Sequence, residues 1–199
     1  MSASVSPTRV GTVERKTSET DIAVTLTLAP GAIEVDSGIP MLDHMLANMC
    51  KHAGFSLSLR CRGDLEIDDH HSVEDCALAL GAALDQALGD RAGTRRFGYS
   101  YAPLDEALAR VVVDLSGRPF VVIDLGLRRE KLGTLSCENA THFLQSLAQA
   151  ARLSLHVDLL RGENDHHRLE AAFKALALSL SQAVALTGQR RIRSTKGVL

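Results

Sequence analysis

The chain has 199 residues, of which 45% are hydrophobic and 23% charged, with a formal net charge of −2. A chain of this size buries on the order of 70% of its unfolded surface, so no staple is needed for a core, and the near-neutral balance gives no electrostatic footprint for nucleic acid or an anionic membrane. Residues 1–20 lack the apolar stretch of a leader, no run approaches the roughly 18 apolar residues that span a bilayer, and Cys50, Cys61, Cys76 and Cys137 form no C-x-x-C pair. That cysteine usage argues against a thiolate zinc site and fits a reducing, cytoplasmic setting.

In chain order, Arg9–Thr17 and Ile22–Leu28 are predicted as strands, the second with Ile22, Val24, Leu26 and Leu28 on one face. Pro40 precedes a predicted helix over Met41–His52 closed by Gly54. Phe55–Arg62 alternates as a strand, and Asp69 is expected to cap a helix over His70–Leu88 that Gly89 ends. The second half repeats this order. Ala107–Leu115 and Pro119–Leu125 are strand-like around a Ser116-Gly117-Arg118-Pro119 turn, and Glu138–Leu153 is helical. Ser154–Leu160 is a strand, and Asp165 is expected to cap a helix from His166 to about Leu186. Residue agreement supports a duplication. Ser56-Leu57-Ser58-Leu59 matches Ser154-Leu155-His156-Val157, Asp69-His70-His71 matches Asp165-His166-His167, and His44 matches His142 at nearly constant spacing. Two similar α+β halves with a break near Gly89–Gly98 are expected.

The repeated histidines carry the chemistry. On a helix His70 stands four residues from Glu74 and His71 three, so either pair shares a face. His70 and His71 themselves point about 100° apart, which disfavours one ion taking both and allows two ions to share them. His166, His167 and Glu170 repeat the choice, and His44 and His142 bring the set to six histidines and two glutamates. Imidazole plus carboxylate without thiolate suits a borderline or hard divalent ion such as Mn, Fe, Zn, Ni or Co. A lone His–Glu pair on a helix is usually a solvated contact; the same cluster twice, each with an upstream histidine, points to metal. His52, near a helix end, and His156, within a strand, read as structural. Lys174 shares a helical face with His167 and Glu170 in one copy only, the other having Leu78, which suggests an anionic substrate group. The terminal Arg190–Gly197 segment, with Ser194, Thr195 and Lys196, has the donors of a phosphate wrap.

These motifs resemble the imidazoleglycerol-phosphate dehydratase family over about Arg9–Leu199. The matching stretches are Arg15–Thr20, Gly38–Leu46, Asp68–Asp75, Arg96–Gly98, Pro103–Ala107, Leu115–Pro119, His166–Ala171 and Ser194–Gly197. The resemblance implies an α+β fold of the ribosomal protein S5 domain 2-like kind: two tandem halves, each a four-stranded sheet with two helices, the helices packed between the sheets. The expected division is a flexible 1–8, halves at 9–92 and 93–189, and a substrate-binding tail at 190–199. It further implies a homo-oligomer of 24 subunits built from trimers joined through shared metal sites, so that neighbouring chains bring the ligands of both copies together. Two Mn2+ ions per active site are implied, with His44, His70, His71, Glu74, His142, His166, His167 and Glu170 as ligands. The implied reaction is dehydration of imidazole glycerol phosphate to imidazole acetol phosphate in histidine biosynthesis, with Glu19 as general base. Arg96, Arg118, Lys174, Ser194 and Lys196 would hold the phosphate, and Asp75 and Asp105 would orient ligands. Asn48 stands where family members often carry Gln. Two other readings remain open: a binuclear phosphoester hydrolase, and a metal-storage or structural assembly, against which the single-copy Lys174 speaks.

Overall fold

A computed structural model describes residues 9–189, 191–195 and 197; the expected flexible stretch at 1–8 lies outside them. The first half of the order is β1 (Val10–Lys16), β2 (Thr20–Thr27), β3 (Ile33–Asp36), α1 (Pro40–Ala53), β4 (Ser56–Gly63) and α2 (His70–Leu88). It continues with β5 (Phe97–Leu104), β6 (Ala107–Asp114), β7 (Phe120–Asp124), β8 (Lys131–Leu132), β9 (Leu135–Ser136), α3 (Cys137–Ala150), β10 (Ser154–Arg161) and α4 (Asp165–Val184).

Local sequence accounts for the elements. In β2 the buried Ile22, Val24 and Leu26 alternate with partly exposed neighbours, the period of a half-buried strand. Pro40 opens α1, where its missing N–H costs nothing, and Gly54 closes it at φ 71°, a left-handed conformation that suits glycine. Two four-stranded sheets result, in the orders β1-β2-β4-β3 and β5-β6-β10-β7. Each has one parallel pair at the same place, β3 with β4 and β7 with β10. The four helices lie between the sheets. α2 packs on β1 and β2, α4 on β5 and β6, and the layer is locked by α1 against α4 and α2 against α3. Phe143 and Phe173, both fully buried, meet across α3 and α4 with ring centroids 6.0 Å apart.

This topology corrects the expected strand equivalence. β6 and β7 are not the counterparts of β1 and β2, because β10 lies between them; β5 and β6 correspond to β1 and β2, and β7 to β3. β3 and β5 escaped the sequence pattern for a physical reason. β3 is a four-residue edge strand, and β5 inverts the usual rule: Gly98 and Ala102 face inward while Phe97, Tyr99 and Tyr101 face out. Two glycines reveal the true repeat. A Cβ on Gly11 would lie 1.8 Å from the Ala83 carbonyl oxygen of α2, and one on Gly98 would lie 1.8 Å from the Ser179 carbonyl oxygen of α4. Each sheet edge touches helix backbone directly, and nothing larger fits.

Gly98→Ala should therefore lower stability by about 1–3 kcal/mol or more, because the obstructing atom is backbone that no rotamer change can move. Thermal unfolding measures this; a midpoint unchanged from wild type would disprove the close approach.

Candidate functional site

Helix crossings from different halves bring the ligand-type residues together. On one side His44 of α1 meets His166 and Glu170 of α4; on the other His142 of α3 meets His70 and Glu74 of α2. Within each trio the candidate ligand atoms lie within 4.8 Å of one another. A single ion with bonds of about 2.1 Å could gather such a set with small side-chain shifts. Convergence of the two halves thus occurs inside one chain, which corrects the expectation that neighbouring chains are needed for it.

Glu170 Oε2 lies 3.3 Å from His44 Nε2 and 3.3 Å from His166 Nε2. Its Oε1 accepts from Asn48 Nδ2 at 2.9 Å and pairs with Lys174 Nζ at 2.8 Å. Burial alone would raise the Glu170 pKa; the bonds from Lys174, His44 and Asn48 outweigh it and hold the group at about 2. Asn48 therefore has a role in supporting this carboxylate. In the other trio Glu74 Oε1 is 3.1 Å from His142 Nε2, and Glu74 Oε2 is 3.7 Å from His70 Nε2. His142 Nε2 is buried and has no hydrogen-bond partner. A buried ring nitrogen beside a carboxylate, with no hydrogen bond made, is an arrangement that a cation would resolve.

His71 and His167 stand apart from the trios. Their rings lie 6.0 and 6.2 Å from those of His70 and His166, at interplanar angles of 79° and 82°, as successive helical residues must diverge. His71 Nδ1 lies 3.0 Å from Asp64 Oδ2, and its Nε2 is 3.8 Å from Glu19 Oε1. His167 Nδ1 lies 2.7 Å from Glu106 Oε2, and its Nε2 is 3.8 Å from Asp105 Oδ2. The carboxylate bond on Nδ1 raises both imidazole pKa values. Glu106 is clamped in turn: backbone N–H of Asn164, the His167 ring and backbone N–H of Glu163 lower its pKa to about 2. The Glu106 and Asn139 contacts, the last at 3.1 Å from His70 Nδ1, had no sequence signal because each partner is distant in the chain, and Asp64, seven residues before His71, gave none because an irregular loop separates the two.

The aspartates before the histidine pairs differ from expectation. Asp69 stands at the N-cap position of α2 as expected but makes no side-chain cap bond; its carboxylate accepts from the Ser136 backbone N–H and hydroxyl, both at 2.7 Å. Asp165 is the first residue of α4, and the cap is Asn164, which accepts from the His166 N–H. Asp165 accepts instead from the Arg128 and Arg129 N–H groups at 2.8 and 2.7 Å and pairs with Arg168 at 3.0 Å. Asp69 ties the start of α2 to the end of β9, and Asp165 ties the start of α4 to the loop after β7. Asp75, expected to orient a ligand, binds Arg15 and the Thr20 hydroxyl instead.

A separate cavity of about 580 Å³ is lined by cations, among them Arg96, Arg118, Arg191 and Arg193, together with Ser194 and Thr195. Asp114 fixes the Arg96 guanidinium through two bonds of 2.7 and 3.0 Å. Neither Lys174 nor Glu19 lines this cavity, and Lys196 lies outside the described residues. Among the described residues, no helix is long and apolar enough to cross a membrane, and all four cysteines are free and buried.

Residues 37–180 match the family model for imidazoleglycerol-phosphate dehydratase. The chain is 50% identical to the Kluyveromyces lactis protein of that name, over 97% of this chain and 98% of the other. It is 53% identical to the Schizosaccharomyces pombe protein, over 94% and 98%. The crystal structure of the Staphylococcus aureus dehydratase superposes with a TM-score of 0.82 at 35% identity, covering 89% of this chain and 99% of that one. That from Pyrococcus furiosus gives 0.82 at 34%, covering 94% and 100%.

The Asp165–Arg168 pair is almost fully buried, with side chains 2% and 3% exposed. Asp165→Ala would strand the guanidinium and free two loop N–H groups, so unfolding in urea should come earlier by the equivalent of about 3–5 kcal/mol. An unchanged midpoint would remove Asp165 as the anchor of this helix start.

Proposed function

Because the chain belongs to the imidazoleglycerol-phosphate dehydratase family, and is a hydro-lyase on that ground, we propose that it converts imidazole glycerol phosphate to imidazole acetol phosphate with two divalent ions, Mn2+, per active site. The observation that supports metal dependence is the pair of His2Glu trios. The donor set fits the group: imidazole nitrogens and carboxylates, with one buried nitrogen otherwise unsatisfied. His44, His166 and Glu170 would hold one ion and His70, His142 and Glu74 the other.

Comparing substrate and product defines the chemical problem. Water is lost by removing hydroxide from the carbon attached to the ring and a proton from the next carbon, whose remaining oxygen becomes the ketone. That proton is weakly acidic, and the ring must accept and return electron density as the hydroxyl departs. A bound divalent ion supplies Lewis acidity toward a ring nitrogen or the diol oxygens. Glu19, half exposed and beside His71, is the proposed base that takes the carbon-bound proton. Asp64 bonded to His71 Nδ1 holds that ring in one orientation with Nε2 toward Glu19. The cavity with Arg96, Arg118 and Ser194 is the proposed phosphate seat, and Asp114 keeps Arg96 from swinging away. Lys196 completes the set. Lys174, tied to Glu170 in its own chain, would join it from a trio brought up by another copy.

His71 and His167 support a shared site as well, since their Nε2 atoms lie outside the trios of their own chain. In the proposed assembly of 24 chains built from trimers, each supplies the missing ligand to a neighbouring copy, in a cytoplasmic setting.

Chelation should abolish dehydration and shrink the assembly, and Mn2+ should restore both; full activity in metal-free protein ends the proposal. Glu19→Gln should bind substrate with nearly unchanged KM yet lose about 100-fold or more in kcat. Near-normal turnover would take the base role from Glu19.

A further inference from the structure

Asn139 of α3 is 5% exposed and belongs to neither trio. It stands three residues before His142, so one face of the helix carries both. That face meets α2 at His70. The His70 and His142 rings stack with centroids 4.9 Å apart, and Asn139 Oδ1 lies 3.1 Å from His70 Nδ1. On the other side of the same ring, His70 Nε2 lies 3.7 Å from Glu74 Oε2.

The meaning of the Asn139 bond depends on which way round its amide sits. An amide has an oxygen that accepts and a nitrogen that donates, and a neutral imidazole can meet either by carrying its proton on one nitrogen or the other. Asp69 decides between them. Its carboxylate is buried, accepts from the Ser136 N–H and hydroxyl, and is bonded by the Asn139 side chain as well. Burial alone would raise the Asp69 pKa; the Ser136 and Asn139 bonds outweigh it and hold the group below the usual carboxylate range. An ionised carboxylate can only accept. The Asn139 nitrogen therefore faces Asp69 and its oxygen faces His70, so the proton of the neutral ring sits on Nδ1. The lone pair is left on Nε2, the atom beside Glu74.

We propose that Asn139 is a positioning residue for the His70–Glu74–His142 site, fixing the one His70 tautomer that can take a divalent cation through Nε2. The inference rests on the reading of the trios as metal sites. A ring with its proton on Nε2 would present N–H to the ion and supply no ligand. The buried series Ser136, Asp69, Asn139, His70 thus prepares this site before an ion arrives. The other trio is built differently. The residue three before His44 is Met41, whose thioether cannot donate, and Asp165 accepts from the Arg128 and Arg129 N–H groups and pairs with Arg168. One cation site has a locked tautomer and the other has none of this kind among the described residues.

The test titrates Mn2+ into chelated full-length protein by calorimetry, comparing wild type with Asn139→Leu, which removes both polar atoms at similar volume. One of the two ions should bind about 10–100-fold more weakly in the variant, and the other as in wild type. Met41→Leu, the matching change in α1, should leave both affinities unchanged. Two ions bound by Asn139→Leu as tightly as by wild type, an equal loss at both ions, or the same loss in Met41→Leu overturns the proposal. Should Asn139→Leu fail to fold, a neutron structure of metal-free wild type at about pH 8, above the ordinary imidazole range, replaces it. Deuterium on His70 Nδ1, with the Asn139 nitrogen toward Asp69, is the expected result; deuterium on Nε2 or a reversed amide overturns the proposal. Wild type that takes up no Mn2+ sinks the metal reading and this inference with it, whereas unchanged binding in Asn139→Leu sinks this inference alone.

Discussion

Glu170 is held by His166 of its own helix and His44 of a helix from the other half, while Glu74 sits between His70 of its own helix and His142 of α3. Neither half contains a complete trio. The crossed packing of α1 on α4 and α3 on α2 is therefore the constraint on which the site depends. It explains why the helices form a shared middle layer, why Gly81 of α2 must let the α3 backbone approach, and why Asp69 and Asp165 each anchor a helix start to another segment of the second half. A displaced helix would part the histidines from the carboxylate they share.

Electrostatics make that arrangement consistent. A carboxylate as buried as Glu170 tends toward protonation, yet an ammonium, an amide and an imidazole keep it ionised. Lys174 gives this trio a neutralising partner; position 78 in the corresponding helix is leucine. The two trios are thus alike in ligands and unlike in charge, so ions held there would experience different fields.

Much of this was legible in the sequence. The bounds of α2 follow from His70 and Gly89, the divergence of adjacent histidines from helical rotation, and the fold from motif resemblance. Which histidine shares a glutamate was not legible, because spacing allows both i,i+3 and i,i+4; the crossing of α1 with α4 decides it. The aspartates before the histidine pairs looked like caps because capping chemistry is local, but the donors they satisfy lie on other elements. β5 was hidden by its inverted pattern, in which glycine and alanine take the inside and the large rings the outside. Glu106 reaches its histidine through tertiary structure alone, and Asp64 through the turn of the loop before α2.

One peptide unit separates His70 from His71, and another separates His166 from His167. Rings so closely joined cannot shift independently: rotating a helix start to improve one ring's aim spoils the other's. Each helix start is thereby a rigid bracket with two arms set at a steep angle, one turned to the glutamate of its trio and the other to a separate carboxylate, Asp64 or Glu106. Small errors in building a protomer are consequently transmitted outward as angular errors in whatever the second arm engages, so tolerance for sloppy folding at these two turns is low.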